Sequence, residues 1–440
     1  MTQNGSSVRL EWDGKRAAVP PAARLVRTAE VCRTPDEVLA PEPNRLILGD
    51  NLLAMAALLP LWEGRLRLIY ADPPFGTGKG FTRRVGSGED SRRPEEWLLA
   101  EGYSDAWDGP DAYLEHLYPR LVLMHRLLAE DGSLYLHLDW RAVHHARLLL
   151  DEIFGQQQIL NEIIWVYHGP SPVRTYFNRK HDTLLAYRKG RQHVFNADEV
   201  RIPYDDSTRR TFASSAKAGF GRTPDLDRGK VPEDWWYFPV VARLHTERTG
   251  YPTQKPEALL ERILRASSGP GDWVGDFYCG SGTTLRVAES TGRRWIGADL
   301  SPQAAQVCQR RLALAESLGF AVEEALSLEA GASAENAPLP PVAALRVRSE
   351  VDGTEIRLQL EAMTPCAPQG FPISLDYWEV DFDFQPPVFH STSQAARPWR
   401  RGLAPLSLSH RYPQRGSHRV KVRAVGASGE TAEAEIPIEV

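Results

Sequence analysis

The chain has 440 residues, 42% of them hydrophobic, and a formal net charge of −5. That length suits one large domain plus a smaller one with real cores, and the absence of a long like-charge block argues against a basic-tail nucleic-acid binder. No signal peptide or apolar run of membrane-spanning length is present, and the four cysteines, Cys32, Cys279, Cys308 and Cys366, lack metal or disulfide spacing, so a reducing, cytoplasmic setting is expected.

Charge is uneven along the chain. Residues 320–440 carry 11 basic and 16 acidic residues. Residues 168–250 carry 15 basic and 10 acidic ones, so the basic excess lies in the middle.

Residues 1–43 read as an N-terminal extension. A short hairpin is expected at Val8–Trp12 before Asp13-Gly14, and Pro20, Pro21, Pro41 and Pro43 predict irregular chain around it. Arg45–Asp50 reads as a strand ending in a carboxylate, and Ala54–Leu59 as a helix. Next comes Leu66-Arg67-Leu68-Ile69-Tyr70-Ala71, a buried strand that runs into Asp72-Pro73-Pro74-Phe75. Proline lacks an N–H, so two in succession stop the ladder and turn the chain out of the sheet. A carboxylate, two stiff carbonyls and an aromatic ring are left at the carboxyl end of a strand, where open α/β sheets bind ligands. Such parts suit methylation of an exocyclic amine on a nucleobase. Asp72 and the Pro73 carbonyl each accept an N–H, and Phe75 stacks on a base that has left its helix. Asp-Pro-Pro is equally ordinary turn chemistry.

Residues 76–110 read as a glycine-rich basic loop. Lys79, Arg83, Arg84, Arg92 and Arg93 stand there as solvated charges or as phosphate contacts beside a flipped base. Asp111 is expected to cap a helix carrying Leu114, Leu117, Leu121, Met124 and Leu128 at helical spacing. Ser133–Asp139 reads as a strand, Ala142–Phe154 as a helix and Asn161–Tyr167 as a strand. This alternation predicts an α/β fold with a doubly wound, mostly parallel sheet.

The regular pattern breaks over 168–250, where aromatic residues interleave with Arg179, Lys180, Arg209 and Arg210. A DNA-facing surface is expected for the arginines and local core for the tryptophans. Lys255–Ser267 reads as a helix. Trp273–Phe277 is a strand leading to Tyr278-Cys279-Gly280-Ser281-Gly282-Thr283-Thr284, whose glycines let backbone approach a ligand at a helix N-terminus. Trp295–Asp299 ends one βαβ unit later in a carboxylate able to hold ribose hydroxyls, or the turn is merely tight. Pro302–Leu314 reads as a helix. Residues 329–341 read as a linker, and 342–440 as a small all-β sandwich.

Three segments resemble signature motifs of amino-group DNA methyltransferases: Asp72-Pro73-Pro74-Phe75, Thr253-Gln254-Lys255-Pro256 and Asp276–Thr284. Their order resembles the β class, in which the catalytic motif precedes the cofactor motif. The resemblance spans about 44–315 and includes Leu48-Gly49-Asp50-Asn51, Gly132–Asp139 and Thr249–Pro252. It implies a Rossmann-like sheet with circularly permuted motif order and a catalytic domain over 44–328, with 168–250 as a target-recognition insertion. It also implies S-adenosylmethionine as donor, no metal, double-stranded DNA as substrate and adenine N6 as the methylated atom, with cytosine N4 as the alternative. A DNA-binding module that has lost turnover is the non-enzymatic alternative.

By the same resemblance, Asp72, Pro73, Pro74 and Phe75 engage the target base. Asp276, Phe277, Cys279, Gly280, Gly282 and Thr283 cradle the donor's methionine end, Asp299 takes its ribose and Asp50 its adenine. Thr253 and Lys255 are expected near its carboxylate. Gly275 and Phe277-Tyr278 depart from the usual pattern. A homodimer and a separate restriction endonuclease are the further partners expected. The tail, through Ser409–Tyr412, Gly416, Val420–Val422, Gly429 and Ile436–Val440, resembles an immunoglobulin-like module of the polycystic-kidney-disease type.

Overall fold

The structure is a computed structural model that describes residues 8–34, 37–85, 98–169, 173–214, 224–242, 245–315, 319–329, 343–365, 375–398, 403–427 and 429–440. In chain order the first half contains β1 (Ala23–Val31), β2 (Asn44–Leu48), α1 (Asn51–Trp62), β3 (Leu66–Ala71), β4 (Lys79–Val85), β5 (Leu98–Asp105), α2 (Gly109–Leu127), β6 (Leu128–Leu138), α3 (Val143–Leu150), β7 (Ile159–Val166), β8 (His181–Arg188), α4 (Asp206–Ser214) and β9 (Trp235–Tyr237). Then follow α5 (Glu257–Ser267), β10 (Trp273–Asp276), α6 (Thr283–Ser290), β11 (Arg294–Asp299), α7 (Pro302–Leu314) and β12 (Phe320–Ser327). The remainder is strand: β13 (Ala343–Asp352), β14 (Glu355–Pro365), β15 (Leu375–Asp381), β16 (Phe389–Ser391), β17 (Ser393–Ala396), β18 (Ser407–Arg411), β19 (Ser417–Gly426) and β20 (Thr431–Glu439).

Eleven strands form one sheet in the order β16-β1-β12-β2-β11-β10-β3-β6-β8-β7-β9. The run from β12 to β6 is parallel throughout. Side chains alternate across the sheet, so Ile69 and Ala71 of β3 join the core beneath α1, α2 and α3, while Leu68 and Tyr70 join the core beneath α5, α6 and α7. Burial on both faces explains why β3 is apolar without alternation.

Several sequence expectations change. Residues 8–12 form no hairpin. Trp12 instead packs edge-on against Tyr118 at 5.9 Å, and Lys15 bonds Leu10 O and Glu152. Part of the expected extension is β1, paired antiparallel with β12. The expected loop after Phe75 holds an antiparallel ribbon, β4 with β5; Arg92 and Arg93 lie outside the described residues. The stretch 168–250 supplies β8, which sits antiparallel between β6 and β7.

The last hundred residues form two packed sheets, β13-β14-β18 and β17-β15-β19-β20, around Trp378, Val380, Phe382, Val420 and Val422. This unit reaches back twice. β16 pairs parallel with β1 at the edge of the large sheet. Arg310 of α7, 2% exposed, donates to Asp376 at 3.0 Å and to Arg397 O at 2.6 Å, and Arg397 Nε donates to Asp376 at 2.9 Å. Asp376→Ala leaves two guanidinium groups buried without their carboxylate, so it is expected to cost about 3–5 kcal/mol in urea unfolding. Removing the exposed Arg411–Glu355 pair is expected to cost less than about 1 kcal/mol.

Candidate functional site

Four neighbouring parallel strands, β2, β11, β10 and β3, run in one direction. Their carboxyl ends, or the residue or two beyond, carry Asp50, Asp299, Asp276 and Asp72. All four line a cleft of about 650 Å³ with Pro73, Pro74, Phe75, Tyr251, Thr253, Lys255, Phe277, Cys279, Gly280 and Thr283. The structure thus brings together every expected base-binding residue and, Gly282 excepted, every expected cofactor residue as lining of one cavity.

Asp72 follows the last residue of β3. Lys255 Nζ donates to its Oδ2. Its other oxygen, Oδ1, is buried and has no hydrogen-bond partner among the described residues. The loop beyond Asp72 is wound around Asp105, which is 1% exposed. The backbone N–H groups of Phe75, Gly76 and Thr77 donate to its carboxylate at 3.2, 2.8 and 3.0 Å. Thr77 Oγ1 and Trp107 Nε1 add bonds of 2.7 and 3.1 Å. Successive N–H groups around an anion form a stable nest, so Asp105 sets where Phe75 points. Behind the ring lies fully buried His137, stacked on Phe75 with centroids 5.9 Å apart and held by Tyr70 Oη at 2.7 Å and Asp182 at 3.3 Å.

The loop before α5 delivers Lys255. Gln254 fixes it by accepting from Thr249 N at 2.8 Å and donating to Glu247 O at 2.7 Å. Thr253 has φ 57°, the one positive φ outside glycine among the described residues. For a β-branched residue that is a strained conformation, of the kind found at ligand sites.

The glycine turn joins β10 to α6. Gly282 has φ 72°, and a Cβ there would lie 2.7 Å from Cys308 Sγ, so only glycine fits. Asp299 accepts from Gly280 N at 2.8 Å and Ser301 N at 2.9 Å, which ties the turn to the next strand. Burial raises the Asp299 carboxyl, offset in part by those N–H groups. Asp276 is pushed up to about 7 by burial, with Asp72 and Asp299 adding to it. The Cys279 thiol is raised by its bond to Cys308 and by burial, so it is no nucleophile. Arg311 of α7 donates to Ser281 O at 3.1 Å, Thr283 Oγ1 at 3.0 Å and Glu257 at 2.6 Å, clamping the turn to α5.

Asp50 caps α1 through Leu52 N at 2.8 Å and accepts from Arg120 at 2.6 Å. Arg120 also donates to Asn51, whose amide donates to Phe277 O at 2.7 Å. His116 is pushed down to about 3, by burial first and Arg120 second, and stays neutral 3.2 Å from Tyr278 Oη. Asp105, Arg120, His116 and Arg311 escape sequence reasoning because each acts through partners distant in the chain. The acidic Asp105 carried one faint signal, its position just before an apolar-periodic helix.

The expected DNA contacts are less gathered. Arg179 lies over the rings of Trp140 and Tyr176, at 4.0 and 4.9 Å from their centroids. Arg209 bonds Leu226 O at 2.8 Å and Arg210 bonds Asp206 O at 3.2 Å, and neither lines the cleft. Lys79, Arg83 and Arg84 sit on β4, with all three side chains outside the described set. Lys180 immediately precedes β8, its backbone carbonyl accepting from Tyr167 N at 3.1 Å.

A family model described as DNA methylase, N6_N4_Mtase, matches residues 66–310. The chain belongs to this family. It is 30% identical over 276 residues to the DNA adenine methyltransferase YhdJ of Escherichia coli (strain K12), covering 62% of this chain and 84% of that protein. It is 29% identical over 331 residues to the type II methyltransferase M.EcaI of Enterobacter cloacae, covering 62% of this chain and 70% of that one. Among solved structures it resembles that of TTHA0409 from Thermus thermophilus, titled a putative DNA modification methylase complexed with S-adenosyl-L-methionine. That likeness has a TM-score of 0.40 and 23% identity over 65% of this chain and 99% of that chain.

In this methylase the loop after Asp72 depends on Asp105 accepting five donors. An amide in its place presents its own N–H groups to them. Asp105→Asn is expected to lower the unfolding free energy by about 1–3 kcal/mol, as read by chemical denaturation.

Proposed function

We propose that the chain is an adenine-N6 DNA methyltransferase acting on a base flipped out of double-stranded DNA. The observation that carries this is Asp72. Its buried Oδ1 lacks a partner among the described residues in a cleft shared with a ring held for stacking and a glycine turn held for close approach. A buried acceptor left unpaired costs free energy, which a base amine recovers by donating to it. The Pro73 carbonyl takes the second N–H, and two acceptors favour a pyramidal nitrogen with its lone pair free. Phe75 and Pro74 hold the base plane.

The donor is S-adenosylmethionine, which supplies a methyl group on a sulfonium whose positive charge makes a good leaving group. The residues present fit it. Gly280, Gly282 and Thr283 offer bare backbone at the N-terminus of α6, with Phe277 and Cys279 packed beneath. Asp276 would hold the donor's ammonium, Asp299 has lone pairs left for ribose hydroxyls, and Asp50 would take the adenine amine. Aligning donor and acceptor in a site closed to water accounts for much of the acceleration.

Adenine is favoured over cytosine by the Asp that opens the Asp72–Phe75 motif, since cytosine-N4 enzymes of this class more often carry Ser there, and by the stacking area a purine offers Phe75. Arg179 on its aromatic platform, Lys180, Lys79, Arg83, Arg84, Arg209 and Arg210 are assigned to DNA. The catalytic unit is 44–328, with 168–250 contributing target recognition. Residues 342–440 form an immunoglobulin-like brace of the polycystic-kidney-disease type. Relatives named as type II methyltransferases support a place beside a restriction endonuclease.

Digestion of methylated DNA to nucleosides, read by mass spectrometry, is expected to give N6-methyladenine; N4-methylcytosine alone would overturn the base assignment. Asp72→Ala is expected to abolish methyl transfer and to leave donor affinity within a few-fold by calorimetry. An equal loss of donor affinity would overturn the division of labour.

A pH dependence follows from Asp276. Its carboxyl, held at about 7 by burial, is largely protonated at about pH 6 and ionised at about pH 8. A cationic donor binds the ionised form better, so donor affinity is expected to rise across that interval and binding in its lower half to release protons. For folding the sign is opposite. The raised carboxyl stabilises the fold below its unfolded value and loses that contribution as pH climbs through about 7. Calorimetry in buffers of different ionisation enthalpy measures the proton release, which Asp276→Asn is expected to remove.

A further inference from the structure

Lys255, expected beside the donor's carboxylate, is placed instead on the base acceptor. Its side chain is 9% exposed and its ammonium bonds Asp72 Oδ2. A second contact runs to Thr253 O at 3.4 Å, from the residue whose backbone is strained to φ 57°. An ammonium has three N–H donors, so one is left over. The same Nζ lies 5.4 Å from the centroid of the Phe75 ring, close enough to reach a base held against that ring.

Asp72 and Lys255 together present an acceptor, Oδ1, next to a donor, Nζ. A carboxylate alone does not have this pattern: its second oxygen would face whatever lies beside the target amine. In an aminated base that neighbour is a ring nitrogen with an in-plane lone pair, N1 in adenine or N3 in cytosine. Amine and ring nitrogen form an amidine edge, donor beside acceptor, complementary to Oδ1 beside Nζ. Guanine and thymine carry the reverse, a carbonyl beside a ring N–H.

We propose that Lys255 donates its remaining N–H to the ring nitrogen adjacent to the target amine, so that the Asp72–Lys255 pair reads the amidine edge of the flipped base. This rests on the base-methylating function proposed above. Two effects follow. A lactam edge is rejected, because it sets carbonyl against carboxylate and N–H against ammonium, leaving buried polar groups unpaired. The ring nitrogen, the better intrinsic nucleophile of the two, is covered, which directs the methyl group to the exocyclic amine. Lys255 touches the base without taking part in bond making or breaking, so it is a positioning residue that also sets specificity.

The test crosses a protein change with a substrate change. Base-modification mapping of DNA methylated by the full chain first locates a site. Duplex oligonucleotides are then made with that site carrying either adenine or 1-deazaadenine at the target, the latter keeping the amine but replacing N1 by C–H. If the mapped base is cytosine, 3-deazacytosine is the corresponding probe. The wild-type chain is expected to lose about tenfold or more in kcat/KM on the deaza duplex, as for one charged hydrogen bond. Lys255→Met is expected to be slower on both and to treat them alike within about twofold, with donor affinity held within a few-fold. A merely structural lysine would slow both substrates and preserve the ratio. Equal kcat/KM of the wild type on the two duplexes overturns the proposal without recourse to the variant, so it stands tested even if the variant does not fold. A variant that loses donor affinity while keeping the discrimination also overturns it and returns Lys255 to the donor's carboxylate. Wild-type transfer to neither duplex nor genomic DNA would instead overturn the methyltransferase function itself.

Discussion

Everything at the cleft answers to one electrostatic constraint: parallel pairing of β2, β11, β10 and β3 delivers four aspartates to a single edge of the sheet. Four like charges in a partly dry cleft are costly unless each is offset. The chain offsets them with three devices. Arg120 lies on Asp50 and Lys255 on Asp72. Backbone N–H groups hold Asp299, and Asp276 relieves the crowding by holding its proton up to about 7. The site is therefore suited to a cationic guest, and only two cations of its own stand on these carboxylates among the described residues.

The glycine turn has no rigidity of its own; α7 supplies it. Cys308 packs where a side chain on Gly282 would sit, and its thiol donates to Gly280 O at 3.2 Å. Arg311, three residues on, grips Ser281 and Thr283. Arg310, between them, anchors the same helix in the C-terminal β unit through Asp376 and Arg397. Adjacent residues on one helix thus tie the glycine turn to a domain that contributes none of the cleft's lining. Beyond the linker expected over 329–341, the tail shares a sheet edge and a buried charge cluster with the rest of the chain, both of which truncation would expose.

Local signals were legible in the chain, and long-range partnerships were not. The two prolines after Ala71 announce the end of β3, the small residues after Phe277 announce the turn, and α7 occupies Pro302–Leu314 as its periodicity predicts. These elements are encoded within a few residues each. β8 was hidden because it lies in a stretch whose neighbours are irregular, though Leu184–Tyr187 are fully or almost fully buried. β4 and β5 were hidden because glycines and arginines disguise a two-stranded ribbon. Asp105 and Arg120 look like any surface charge in sequence. Their roles arise only when the fold brings Arg120 of α2 to Asp50 and Asp105 of β5 to the loop after β3. Lys255 was assigned through a motif to the donor's carboxylate, and its bond to Asp72 joins residues too distant in the chain for any motif to show.

The two ends of the large sheet, β16 and β9, are strands of three residues each. An eleven-stranded sheet with long bare margins would be a template onto which other chains could add strand by strand, the first step toward fibres. Here β16 covers Ala29–Val31 of β1 and is too short to offer a ladder of its own. At the far side Pro239 follows β9 closely and cannot donate to an incoming strand. A β appendage borrowed for one short hydrogen-bonded segment therefore also caps that stretch of the margin against an incoming strand.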